Sequence, residues 1–129
     1  MHKILFCHKQ HIETIKYVNK LLDNKKYSLE ACDVSELENK IKKADVAIPL
    51  MGKLTAKIIE KSDNLKLIQQ FGVGLEGVDI ETATKKKIYV ANVPAHNTGN
   101  AYSVAEMTLF LFFFYSKILI NLKKLLKIK

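Results

Sequence analysis

Arginine is missing from this chain: all 21 basic residues among its 129 are lysine. Arginine supplies the planar, two-pronged contacts that read bases and grip phosphates. Its absence argues against specific nucleic-acid recognition, and no nucleic-acid partner is expected. Glycine (5) and proline (2) are scarce while apolar residues make up 48%, which excludes a disordered or low-complexity chain. There are only two cysteines, Cys7 and Cys32, both in apolar, strand-like runs and neither with a partner at metal-ligand spacing. They are read as reduced core residues of a cytoplasmic protein. The N-terminal apolar run, Ile4 to Cys7, is too short for a signal peptide.

Negative charge is also unevenly distributed. Residues 1–106 hold 16 lysines and all 13 acids, whereas residues 107–129 hold five lysines and no acid. The net charge of +8 therefore sits largely at the C-terminal end. Lys85-Lys86-Lys87 reads as a solvated helix end, where lysines suit the helix dipole.

The length fits one domain able to bury a proper core without metals or disulfides. Strand-like runs at Lys3–Cys7, Tyr27–Cys32, Asp45–Leu50, Leu65–Phe71 and Ile88–Val93 alternate with helical patterns. His11–Leu22 carries Ile12, Ile15, Val18, Leu21 and Leu22 on one face. Ser35–Lys43 has Ser35 and Glu38 at capping-box spacing, with Leu37 and Ile41 facing inward. Thr55 is placed to cap a helix through Lys61 that buries Ile58 and Ile59, and Asp79–Lys86 is a short helix. This alternation gives an α/β class, a flavodoxin-like, doubly wound, parallel five-stranded sheet with a long apolar C-terminal helix. Residues 1–102 are expected to form the sheet domain, and residues 103–129 the apolar helix and its lysine-rich tail.

That last segment contains Met107–Tyr115, nine residues with only Thr108 polar. The run is too short to favour a membrane span, which needs roughly 20 apolar residues, and Lys117, Lys123 and Lys124 interrupt the remainder of the segment. Burial against protein is the favoured reading: another domain, a second copy or the fold itself.

Gly72-Val73-Gly74-Leu75-Glu76-Gly77 fits the glycine spacing of a dinucleotide-binding loop. Such a loop needs a full-length helix behind it and an acid at the end of the next strand. Here only a short helix comes after it, and no Asp or Glu lies between Glu81 and Glu106. A small-anion cradle asks for less. Successive backbone N–H groups form a nest for a carboxylate, and Val73 and Gly74 are the expected donors because flanking glycines permit close approach. A plain tight turn is the other reading of the same spacing.

Gly72-Val73-Gly74 through Val78-Asp79, then Ile88-Tyr89-Val90-Ala91-Asn92-Val93-Pro94, then Asn100-Ala101-Tyr102-Ser103-Val104-Ala105-Glu106 together resemble the D-isomer-specific 2-hydroxyacid dehydrogenases. The likeness is to the N-terminal substrate-binding domain of that family. It is sharpest over residues 64–110, rests on element order before that, and fades after about Leu111. It implies that Val73 and Gly74 hold the substrate carboxylate through backbone N–H groups, that Asn100 contacts substrate or cofactor, and that Val104 lies near a nicotinamide ring. Asn100 could equally cap the long helix, and Ser103 with Glu106 has capping-box spacing. Glu76 stands where the family usually has Asp, and Gly77 where Asn or His is common.

In that family the NAD-binding domain and the catalytic Arg, Glu and His come after the long helix. None of these has a counterpart in the 129 residues, so no catalytic residue is assigned. His96 is read as a loop residue, and His8 with His11 lacks a third metal ligand, so no metal is expected. The resulting expectation is a truncated or split member, inactive alone. Its ligand would be a small 2-hydroxy or 2-keto acid, its cofactor NAD, and its partner a dinucleotide-binding domain supplied in trans. A homodimer through the apolar helix is also expected. The alternative is a non-catalytic carboxylate-binding or dimerisation module; a peripheral membrane protein using the lysine-rich tail is a third reading.

Overall fold

A computed structural model describes residues 1–97 and 99–126; the last three residues of the lysine-rich tail lie outside it. The chain divides into two compact units, Met1–Val93 and Pro94–Lys129. The loop after the last strand thus groups with the long helix.

The first unit runs β1 (His2–Phe6), α1 (Ile12–Leu21), β2 (Tyr27–Ala31), α2 (Val34–Lys40), a single 3-10 turn (Ile41–Lys43), β3 (Val46–Ile48), α3 (Ala56–Glu60), β4 (Leu67–Gln69), α4 (Ile80–Lys85) and β5 (Tyr89–Ala91). All strand pairs are parallel, in the order β2-β1-β3-β4-β5. This is the flavodoxin-like order, in which ligands bind outside the carboxyl ends of the strands. The five strands and their doubly wound class match the expectation.

Alternation along β1 sorts the core onto two faces. Leu5 and Cys7 join Leu37, Ile41, Ala47, Ile59, Ile68 and Ile88 on one side. Ile4 and Phe6 join Ile48 on the other, with Ile15 and Leu22 packed against them. Both cysteines are free and buried. Burial pushes the Cys32 thiol up to about 11 and the Cys7 thiol higher still, so both are inert core residues.

Several local readings shift. The capping box of α2 is Asp33 with Glu36, not Ser35 with Glu38. Cys32 N–H donates to the Phe6 carbonyl, so the ladder ends at residue 32 and the helix begins at once. Glu38 instead pairs with Lys57 and Lys61. On α1, Ile12 and Leu21 stay exposed, and only Ile15 and the adjoining Leu22 reach the core. Thr55 holds the N-cap position of α3 but its side chain makes no cap bond. Lys86 is more than a solvated end: its ammonium donates to the carbonyls of Glu60 and Ser62 at the end of α3.

The second unit contains a 3-10 turn, Ala95–Asn97, and the helix α5, Asn100–Leu126. The helix starts three residues before Ser103, because Gly99 takes φ +73° and Ser103 N–H bonds back to its carbonyl. Ser103 is therefore inside the first turn, and the Ser103–Glu106 box does not form the cap. No described residue of α5 is buried. The helix is long and apolar enough to cross a membrane by length and composition alone.

Candidate functional site

The glycine loop leaves the carboxyl end of β4. Gln70 continues the ladder by donating its N–H to the Ala91 carbonyl at 2.8 Å. Its side chain is buried beneath the loop. The Gln70 amide nitrogen donates to the carbonyls of Leu50 (3.1 Å) and Gly74 (3.0 Å), and its oxygen accepts from Phe71 N–H at 2.9 Å. From the β5 side, Asn92 donates its side-chain amide to the Val73 carbonyl at 2.7 Å, and Val93 N–H donates to the Gly72 carbonyl at 2.9 Å.

The carbonyls of Gly72, Val73 and Gly74 are thus each tied down by a different donor. By contrast, the N–H groups of Val73 and Gly74 have no acceptor among the described residues. Fixed carbonyls with free amides make the loop a ready donor set for a small anion, since backbone N–H groups bind one without any cationic side chain.

The outer wall of the loop is closely packed. Leu54 N–H donates to the Gly77 carbonyl and Asp79 N–H to the Leu54 carbonyl, zipping residues 54 and 78 into a bridge. A Cβ at Gly77 would lie 3.1 Å from the Gly52 carbonyl. A side chain would fit there only if the Gly52 carbonyl gave way by a few tenths of an ångström. The Glu76 side chain folds back over Gly74, its carboxylate lying where a Gly74 side chain would go.

The usual features of a dinucleotide-binding loop are missing here. The helix behind the loop, α4, has six residues, and the Asp79 carboxylate already caps it by accepting from Thr82 N–H at 2.9 Å. That bond, the larger cause, together with Thr82's side chain, holds the Asp79 carboxyl below the usual range. The strand after it ends at Ala91, and Asn92, the next residue, has its amide engaged with Val73.

Val73 and Gly74 are adjacent in the first unit, whereas Asn100 and Val104 belong to the second. Asn100 is the first helical residue of α5 and is exposed; Val104, one turn on, is exposed too. His96 is exposed in the preceding 3-10 turn. His8 and His11 have ring centroids 6.3 Å apart, and His8 Nδ1 accepts from Gln10 N–H. Gln70 and Asn92 do not stand out in the sequence. A polar side chain at the carboxyl end of a buried strand, as at Gln70, is the signal that would flag the first.

The family model for the D-isomer specific 2-hydroxyacid dehydrogenase, catalytic domain, matches residues 4–121. The chain belongs to this family. The match runs ten residues beyond Leu111, where the motif likeness fades, and takes in most of α5. Among relatives of this dehydrogenase family, the D-3-phosphoglycerate dehydrogenase of Methanocaldococcus jannaschii is 45% identical over 75 residues, covering 57% of this chain and 14% of that protein. The hydroxypyruvate reductase of Thermotoga maritima is 37% identical over 98 residues, covering 73% of this chain and 31% of that protein. The D-lactate dehydrogenase of Aquifex aeolicus, solved with NAD and lactic acid, superposes with a TM-score of 0.68 at 31% identity, covering 95% of this chain and 37% of that one. The 129 residues therefore span about a third or less of these relatives.

Proposed function

We propose that residues 1–102 are the substrate-binding part of an NAD-dependent oxidoreductase acting on 2-hydroxy and 2-keto acids, with residues 103–129 a long apolar helix and lysine-rich tail. The Val73 and Gly74 amides hold the substrate carboxylate. Asn100 contacts substrate or cofactor, and Val104 borders the nicotinamide. The observation that carries this reading is the pair of free amides in a loop whose three carbonyls are each fixed. Family membership supports it, and so does the position of the loop at the carboxyl edge of the sheet.

NAD supplies the hydride chemistry, and it is held by a dinucleotide-binding domain, attached or in trans. These 129 residues are inactive alone, since they contain no arginine to pair with a carboxylate and no Glu–His pair beyond Glu106. The protein works in the cytoplasm. Two measurements test the proposal. Titrating the labelled chain with pyruvate should shift the Val73 and Gly74 amide resonances; unmoved amides at saturating ligand would refute the site. Turnover of NADH with a panel of 2-keto acids should be absent; clear turnover would refute the requirement for a second domain.

A second reading concerns assembly. Phe110, Phe112, Phe113 and Phe114 of α5 are all more than half exposed. Covering four such side chains is worth several kcal/mol, at about 2 kcal/mol each. A second copy of the chain is the proposed cover. Sedimentation at tens of micromolar should give a dimer; a strict monomer rejects it, and pelleting with anionic vesicles instead would point to a lipid surface.

A further inference from the structure

The carboxylate-loop reading leaves one charged group unexplained. Glu76 lies inside the glycine loop, is exposed, and has no ion-pair partner among the described residues. Its side chain folds back so that a Cβ built on Gly74 would fall 2.6 Å from Glu76 Oε1 and 2.8 Å from its Cδ. The carboxylate therefore rests against the Cα of one of the two residues whose amides are free. A ligand oxygen accepting from the Gly74 amide, at about 2.9 Å, lies within about 8 Å of it, one Debye length at physiological salt.

We propose that Glu76 sets the charge selectivity of the loop: its carboxylate over Gly74 opposes each negative charge the ligand brings, so the site favours monocarboxylates over dianions. The inference rests on the loop binding carboxylates at all. It is a statement about like charges, so the penalty scales with ligand charge and fades with salt. A merely steric role for the side chain would do neither. The loop also offers no compensating cation of its own, since residues 70–79 include no lysine.

The test uses the full chain and Glu76→Gln, which keeps the shape over Gly74 and removes the charge. Both are titrated with pyruvate and with oxalate, monitoring the Val73 and Gly74 amide resonances at about 0.1 M and about 1 M salt, where the Debye length is roughly 10 and 3 Å. At the lower salt, E76Q is expected to bind pyruvate about three-fold and oxalate about ten-fold more tightly, with both gains shrinking toward one at the higher salt. Glu76→Ala should give the same order. Equal affinities in wild type and E76Q overturn the proposal, as does an equal, salt-independent gain for both ligands. Unmoved Val73 and Gly74 amides in every protein overturn the loop reading itself, a failure distinguished by the lack of any signal to compare.

Discussion

Asn92, one residue past β5, donates its side-chain amide to the Val73 carbonyl at 2.7 Å. This bond joins the end of one strand to the loop that leaves its neighbour, and it turns the Val73 peptide so that its carbonyl is occupied. Asn92 is exposed, so it contributes little to the core. Asn92→Ala should leave the unfolding midpoint nearly unchanged and weaken carboxylate binding about five- to ten-fold, the value of one hydrogen bond of roughly 1 kcal/mol. Calorimetric titration with pyruvate, beside a urea melt, separates the two. A large loss of stability with unchanged affinity would show that the bond serves the fold.

Gln70 is expected to behave in the opposite way. Its buried amide satisfies two carbonyls and one N–H from three different points of the surrounding backbone. Gln70→Leu keeps the bulk but leaves Leu50, Gly74 and Phe71 groups without that partner. Buried unsatisfied groups cost about 1–3 kcal/mol each, so a total loss of roughly 2–3 kcal/mol is expected, some of the groups finding water. Urea unfolding measures it. A loss below about half a kcal/mol, within the scatter of a neutral substitution, would mean that the loop does not depend on this side chain.

The contrast between these residues explains what the sequence could and could not convey. Strand–helix alternation, with Leu5 against Ile4 and Cys7 against Phe6 on opposite faces, is periodic information, and it specifies a parallel doubly wound sheet. The free amides of Val73 and Gly74 were legible as a glycine spacing. The groups that hold them were not, because the bonds from Asn92 to Val73 and from Gln70 to Gly74 depend on the register of β4 against β5 and on the loop path. Caps failed for a related reason. Asp33–Glu36 and Ser35–Glu38 have the same spacing, and only the length of the β1–β2 ladder decides between them. At α5, Gly99 with its positive φ overrode the Ser103 signal.

Gly77 gives a third prediction. A Cβ there would stand 3.1 Å from the Gly52 carbonyl. Gly52 cannot retreat freely, since a Cβ on it would itself meet the Pro49 carbonyl at 3.0 Å and the Cys7 carbonyl at 3.4 Å. The two glycine segments are wedged against each other and zipped by the Leu54 bridge. Gly77→Ala should therefore destabilise by about 1–2 kcal/mol through overpacking, and Gly77→Asn by at least as much. Thermal melts of both variants check this; a stabilised Gly77→Asn protein would show that the Gly52 segment moves.

The pH dependence of stability rests on four carboxylates, one of them Asp79, which Thr82 lowers at the start of α4. Lys9, and then the Asp33 N–H, bring the Glu36 carboxyl down from 4.5 to about 2. Lys61 and Lys57 do the same for Glu38, also to about 2. The Lys3 N–H, at 2.9 Å, is the main cause of a lowered Asp45, with Lys66 adding to it. A carboxyl whose folded-state pKa is depressed binds fewer protons folded than unfolded, so it stabilises above its unfolded value and loses that contribution as pH falls. Stability should hold steady above about pH 5 and decline from about pH 4.5 toward pH 2. The half-exposed Glu36 and Glu38 pairs add a modest, salt-screened share, while Asp45, mostly shielded from solvent, adds a less screened one. Asp45→Asn should therefore flatten the acid limb more at high salt than Glu36→Gln or Glu38→Gln does. Melting temperatures from about pH 2 to about pH 7 at two salt concentrations measure this, and an acid limb unchanged by all three substitutions would place the sensitivity elsewhere.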